Sequence, residues 1–127
     1  MRSTRVSAEA FDETLKKELN GTNKVFVLFF GTELPETDES WCPDCVIADP
    51  LVRKALLPVE NSVLIEAAVG SRAEWRNASS NPYRSRTDFT IPAIPTLYKW
   101  TTSGAGERLV EEECADIEKL NAFVNSA

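Results

Sequence analysis

Apolar residues recur every fourth position near the start of the chain, at Phe11, Leu15 and Leu19, which predicts a helix with one buried stripe. Ser7 is placed to cap that helix, Glu9 lies where a first turn favours negative charge, and Asn20-Gly21 marks its end. The period then changes. Lys24 to Phe30, KVFVLFF, is apolar on both faces and rich in β-branched and aromatic residues, as a central strand covered on both sides would be. A polar, acidic loop follows from Gly31 to Ser40. Helical spacing returns at Val46, Ile47, Ala48, Leu51, Val52, Ala55 and Leu56, with Pro50 inside the helix and expected to bend it. Ser62 to Val69, SVLIEAAV, reads as a second buried strand.

From Gly70 to Thr90 the pattern is mixed, and YRSRTDF, residues 83–89, is the candidate for a short helix. TLYKW and ERLVEE flank Ser103-Gly104-Ala105-Gly106 and predict an antiparallel hairpin. Ile117, Leu120, Phe123 and Val124 make a closing helix capped by Asp116. The order helix, strand, helix, strand, short helix, hairpin, helix implies an α/β fold: a central mixed sheet with helices on both faces, in a single domain over residues 1–127.

Composition narrows the partners. Charged residues make up 27% of the chain and the net charge is −6, with the basic residues scattered, so nucleic acid is not expected as a partner. No apolar run approaches the roughly 18 residues that cross a bilayer, so no membrane association is expected either. The N-terminal stretch has no apolar core of a secretory signal, and the cytoplasm is the expected location. Asn20-Gly21-Thr22 and Asn77-Ala78-Ser79 are accordingly read as turn residues rather than glycosylation sites.

The candidate chemistry lies in ESWCPDCVIADP, Glu39 to Pro50. Cys42 and Cys45 form a close pair, and the chain has only one other cysteine, Cys114, and no histidine. A structural zinc site needs four ligands, so a metal clip is poorly supplied here, and a Cys–His dyad is excluded. Redox chemistry fits better. Pro43 suits the first helical position, which places Cys42 at a helix N-terminus where free N–H groups stabilise a thiolate. A thiol lowered from about 8.5 to about 7 gains roughly 16-fold in thiolate at neutral pH. It loses about fivefold in nucleophilicity, for a net gain of about threefold. The larger advantage is proximity, because Cys45 can resolve a mixed disulfide within the molecule. Asp44 favours the helix end but opposes charge on Cys42, and either helix electrostatics or proton transfer to Cys45 would account for it.

Trp41-Cys42-Pro43-Asp44-Cys45 followed by Pro50, with Ile94-Pro95-Thr96 later, resembles the thioredoxin family. The extended loop Gly31 to Ser40 and the pattern Val69-Gly70, Trp75, Asn81 and Arg84 make the resemblance closest to the 14-kDa thioredoxin-related proteins, the thioredoxin domain-containing protein 17 family. The resemblance implies a thioredoxin fold and a redox-active disulfide, with Cys42 as nucleophile and Cys45 as resolving thiol. It implies a cis Ile94-Pro95 bond, with Ile94, Pro95 and Thr96 forming a turn that meets the substrate chain and keeps metals away. Trp41 would be a packing lid with some substrate contact, and Pro43 and Asp44 would tune the site. Ordinary thioredoxins carry a buried aspartate on the strand before the motif; Lys24 to Phe30 has none, and Asp44 is a candidate substitute.

The resemblance further implies reduction of small disulfides such as cystine and of selected oxidised proteins, with NADPH supplying electrons through thioredoxin reductase and no cofactor bound by the chain. A monomer is expected. The rival readings are a redox-switched binding protein without significant turnover, a small zinc module, and a general thioredoxin. Glu33, Glu36, Asp38 and Glu39 are expected to place negative charge beside the nucleophile and repel acidic partners, unless they merely solubilise the loop.

Overall fold

The computed structural model describes residues 1–21 and 23–126; Thr22, the last residue of the first sequon, lies outside them. Five strands form one sheet in the order β1-β3-β2-β4-β5. They are β1 (Arg2–Val6), β2 (Lys24–Phe30), β3 (Ser62–Ala68), β4 (Thr96–Thr101) and β5 (Gly104–Val110). β3 runs parallel to both β1 and β2, whereas β4 is antiparallel to β2 and to β5. The helices are α1 (Phe11–Asn20), α2 (Pro43–Leu56), α3 (Arg72–Arg76) and α4 (Ile117–Asn125), with a 3-10 turn over Glu111–Ala115. No helix is long and apolar enough to cross a membrane among the described residues.

The double-sided apolar pattern of β2 explains the layering. Successive side chains on a strand point to opposite faces, so Phe26 and Phe29 cannot share one. Phe26 meets Phe123 of α4 at 6.2 Å between ring centres, and Phe29 meets Phe11 of α1 at 5.9 Å on the other face. Around Phe29 the rings of Tyr83, Phe89 and Tyr98 lie 5.3 to 6.1 Å away. Loss of such a buried ring costs about 3–5 kcal/mol in comparable cores.

Three expectations need correction. The chain begins with a strand, β1, rather than with a helix. Its sequence, RSTRV, buries only Val6, so it carries almost no apolar signal. It is held at the sheet edge by its ladder to β3 and by ion pairs from Arg2 to Glu18 and from Arg5 to Glu33 and Glu66. Ser7 does not cap α1: the helix starts after Ala10 without a side-chain cap, and the Ser7 hydroxyl instead accepts from Ala10 N in the turn before it. The short helix falls at Arg72–Arg76 and not at residues 83–89. Ser71 and Glu74 form a reciprocal capping box that starts it, while the Asn81 side chain accepts from the amides of Tyr83 and Arg84 and fixes that stretch as a turn.

The hairpin forms as expected but is tighter, because β5 begins at Gly104, whose φ of +113° suits glycine. Asp116 caps α4 by accepting from Lys119 N, and α2 continues through Pro50.

The Tyr83 hydroxyl is buried without a hydrogen-bond partner among the described residues, a state that costs about 1–3 kcal/mol. Tyr83→Phe should therefore raise the thermal midpoint by a few degrees in calorimetry. A fall would show that the hydroxyl is satisfied in solution.

Candidate active site

The site sits where β2 hands the chain to α2. After Phe30, the loop closes on itself through a bridge between Glu33 and Ser40 and a hydrogen bond from Leu34 N to Glu39 O. It delivers Trp41 onto Gly31. A Cβ added at Gly31 would lie 2.6 Å from Trp41 Cε2, so only glycine leaves room for the indole there. Trp41 Nε1 donates to the Gly70 carbonyl at 2.8 Å, and the Arg72 guanidinium lies over the ring at 4.9 Å. The ring is thus pinned by the loop after β3, as a packing lid would be.

Cys42 is the N-cap of α2 and Pro43 its first residue. The Cys45 amide, one turn in, donates to Cys42 Sγ at 3.3 Å, and the Cys42 amide donates to Ser40 Oγ at 3.1 Å. Both cysteines are buried and free, at 6% and 3% exposure. Cys42 nevertheless borders a surface cleft with Trp41 and Ile94. Its thiol is lowered to about 7, first by the hydrogen bond from the Cys45 side chain; burial opposes this, and the Cys45 amide assists. Asp44, exposed in the first turn, raises it by its charge and lowers it through its backbone N–H. Cys45 is pushed strongly upward, first by its hydrogen bond to Cys42 and then by burial. The two thiols are thus shifted in opposite directions.

The Ile94-Pro95 peptide is cis, as the resemblance implies, and the Ile94 carbonyl faces Cys42 Sγ at 3.8 Å. Thr96 is placed differently from its neighbours. Its side chain is fully buried and donates to the Ala93 carbonyl, so it holds the turn rather than facing the cleft. Cys114 packs behind the same turn, with Sγ against the carbonyls of Leu109 and Pro95, and burial pushes its thiol up to about 12. Among the described residues no cluster of three or more His, Cys, Asp or Glu side chains is arranged to hold a metal ion.

The acidic loop flanks the pair on the Cys45 side. Glu33, Asp38, Glu39 and Asp49 line a cleft of about 250 Å³ that also borders Cys45. Glu33 is not a free charge, because Arg5 binds it at 2.7 Å and holds its carboxyl below the usual range. The Cys42 side has the opposite character. Arg72, Arg76 and Arg84 line the cleft of about 340 Å³ that contains Cys42. Sequence reasoning did not find this group, since scattered basic residues converge only after α3 and the Asn81 turn bring them together.

The family model described as thioredoxin domain-containing protein 17-like, thioredoxin domain, matches residues 4–126. Thioredoxin domain-containing protein 17 of Danio rerio is 35% identical over 119 residues, covering 91% of this chain and 91% of that one. Thioredoxin-like protein Clot of Arabidopsis thaliana is 36% identical over 103 residues, covering 80% and 72%. Among solved structures, thioredoxin O2 from Arabidopsis thaliana superposes with a TM-score of 0.65 at 14% identity, over 95% of this chain and 90% of that one. Thioredoxin F from spinach chloroplast gives 0.65 at 12%, over 98% and 88%. The fold is the thioredoxin fold.

If Cys45 sets the Cys42 pKa, alkylation of Cys42 by iodoacetamide should follow an ionisation near 7, slow below it and fast above it. In Cys45→Ala that midpoint should move up toward the ordinary thiol value of about 8.5. An unmoved midpoint would assign the activation to the helix end alone.

Proposed function

This chain belongs to the thioredoxin domain-containing protein 17-like thioredoxin family, and on that premise we propose that it is a disulfide reductase whose working dithiol is Cys42 and Cys45. Family and fold support a thiol–disulfide oxidoreductase type of function. The observation that carries the finer reading is the placement of the pair: Cys42 caps α2, with the Cys45 amide on its sulfur and the Ile94 carbonyl beside it, and this goes with a split in acidity, Cys42 lowered to about 7 and Cys45 raised.

The chemistry follows from that split. The Cys42 thiolate attacks one sulfur of the substrate disulfide, forming a mixed disulfide, and the other substrate sulfur departs as a thiolate with the bonding pair. Cys45 then loses its proton and attacks Cys42 Sγ, which displaces the second substrate thiolate. Two electrons have passed to the substrate, its two thiolates have taken up protons, and a Cys42–Cys45 disulfide remains. Once Cys42 is in the mixed disulfide it no longer carries the charge that holds the Cys45 proton, so the resolving thiol is released for its step. The Ile94 carbonyl beside Cys42 and the Trp41 lid are the surfaces offered to the incoming chain, and Pro95 keeps that turn rigid. Pro43 starts the helix, and Asp44 tempers the thiolate it adjoins.

In this reading, small disulfides such as cystine and selected oxidised proteins are the substrates. NADPH returns the electrons through thioredoxin reductase, and the protein works as a cytoplasmic monomer without a cofactor of its own. The resemblance, rather than any geometry, supports these assignments.

NADPH consumption with catalytic protein, thioredoxin reductase and cystine, corrected for the rate without the protein, should show turnover that disappears in Cys42→Ser. Absence of turnover, with both thiols shown to be reduced and accessible, would favour a redox-switched binding protein instead.

A further inference from the structure

The cleft beside Cys42 is cationic in a chain whose net charge is −6. Arg72 and Arg76 lie four apart on α3 and so share a helix face, and Arg84 joins them from the turn that Asn81 organises. Two of the three guanidiniums are held against tryptophans: Arg72 over Trp41 at 4.9 Å and Arg84 over Trp75 at 4.5 Å. Arg84 also donates to the Trp75 carbonyl at 2.7 Å, and Arg72 to the Trp41 carbonyl at 3.3 Å. Stacking fixes a guanidinium while leaving in-plane N–H donors for an anion.

The contrast with the rest of the molecule is the informative part. Arg2, Arg5, Arg53 and Arg86 pair with carboxylates, whereas none of the three cleft arginines forms a salt bridge among the described residues; Arg108, outside the cleft, has no carboxylate partner among them either, but donates to the Thr90 and Tyr98 hydroxyls. Their charge is not what chiefly activates Cys42, since the largest lowering influence there is the hydrogen bond from Cys45. They line the same cleft as Cys42.

Resting on the reading of Cys42 as nucleophile, we propose that this arginine cleft docks the carboxylate of small anionic disulfides, selecting substrates that carry a carboxylate within a few bonds of the sulfur. A volume of about 340 Å³ suits such a molecule, being at the small end of ligand pockets. The carboxylate meets the guanidiniums of Arg72 and Arg76, and the disulfide is carried to Cys42 Sγ.

The test is single-turnover oxidation of the pre-reduced protein by three disulfides of matched length. These are 3,3′-dithiodipropionate with two carboxylates, the neutral bis(2-hydroxyethyl) disulfide, and cystamine with two ammonium groups. Each rate is divided by that of 2-mercaptoethanol with the same disulfide, which removes differences in leaving-group reactivity. At low salt the dicarboxylate should exceed cystamine by about tenfold or more, and the gap should narrow at high salt as screening grows. In Arg72→Gln/Arg76→Gln the dicarboxylate-to-neutral ratio should fall by up to about 20-fold, since an exposed ion pair contributes a factor of up to about five. Arg76→Gln alone, at an exposed position with no side-chain bond to lose, should give part of that fall in a protein that folds as before.

Equal normalised rates for all three disulfides, or a ratio unchanged in both variants, would overturn the arginine site and leave the reductase standing. Failure of every disulfide to oxidise the protein would remove both.

Discussion

The amide of Cys45 bonds to Cys42 Sγ at 3.3 Å, and the geometry of the cysteine pair is built around that contact. It exists because Cys42 is the cap of α2 and Cys45 is one turn in, a spacing that Pro43 makes easy to start. The Cys42 thiol is lowered and the Cys45 thiol raised, so the two cysteines of one short motif differ in acidity.

Everything around the pair keeps the contact in place and sets what can reach it. β2 is buried on both faces and anchors the start of the loop; Gly31 admits the Trp41 ring, and the Gly70 carbonyl fixes its indole. The charges are then sorted by side. Carboxylates gather around Cys45, partly neutralised through Arg5 and Arg53, and unpaired guanidiniums gather around Cys42. Of the loop carboxylates, Glu33, Asp38 and Glu39 line the cleft that borders Cys45 rather than the one that contains Cys42.

Much of this was legible in the residues themselves. β2, β3, the hairpin, α2 and α4 carry strong apolar periods or a clear cap, and the Trp-Cys-Pro-Asp-Cys stretch announces its helix end. β1 was hidden because an edge strand held by arginine pairs has no apolar period to read. The short helix was assigned to YRSRTDF, whose Tyr83 and Phe89 belong to the aromatic cluster around Phe29, while the capping box stood earlier, at Ser71 and Glu74. The arginine cleft was not read, since Arg72 and Arg84 are twelve residues apart and meet only through the turn in which the Asn81 side chain bonds the Tyr83 and Arg84 amides.

The central claim is that Cys42 takes the substrate sulfur and Cys45 removes it. The most direct measurement is intact mass and peptide mapping after reduced Cys45→Ser protein meets excess cystine, beside the unaltered protein treated alike. The account predicts a persistent half-cystine adduct on Cys42 alone in the variant, and an adduct-free Cys42–Cys45 disulfide in the unaltered protein. An adduct on Cys114 with Cys42 unmodified, or one that persists on the unaltered protein, would contradict it.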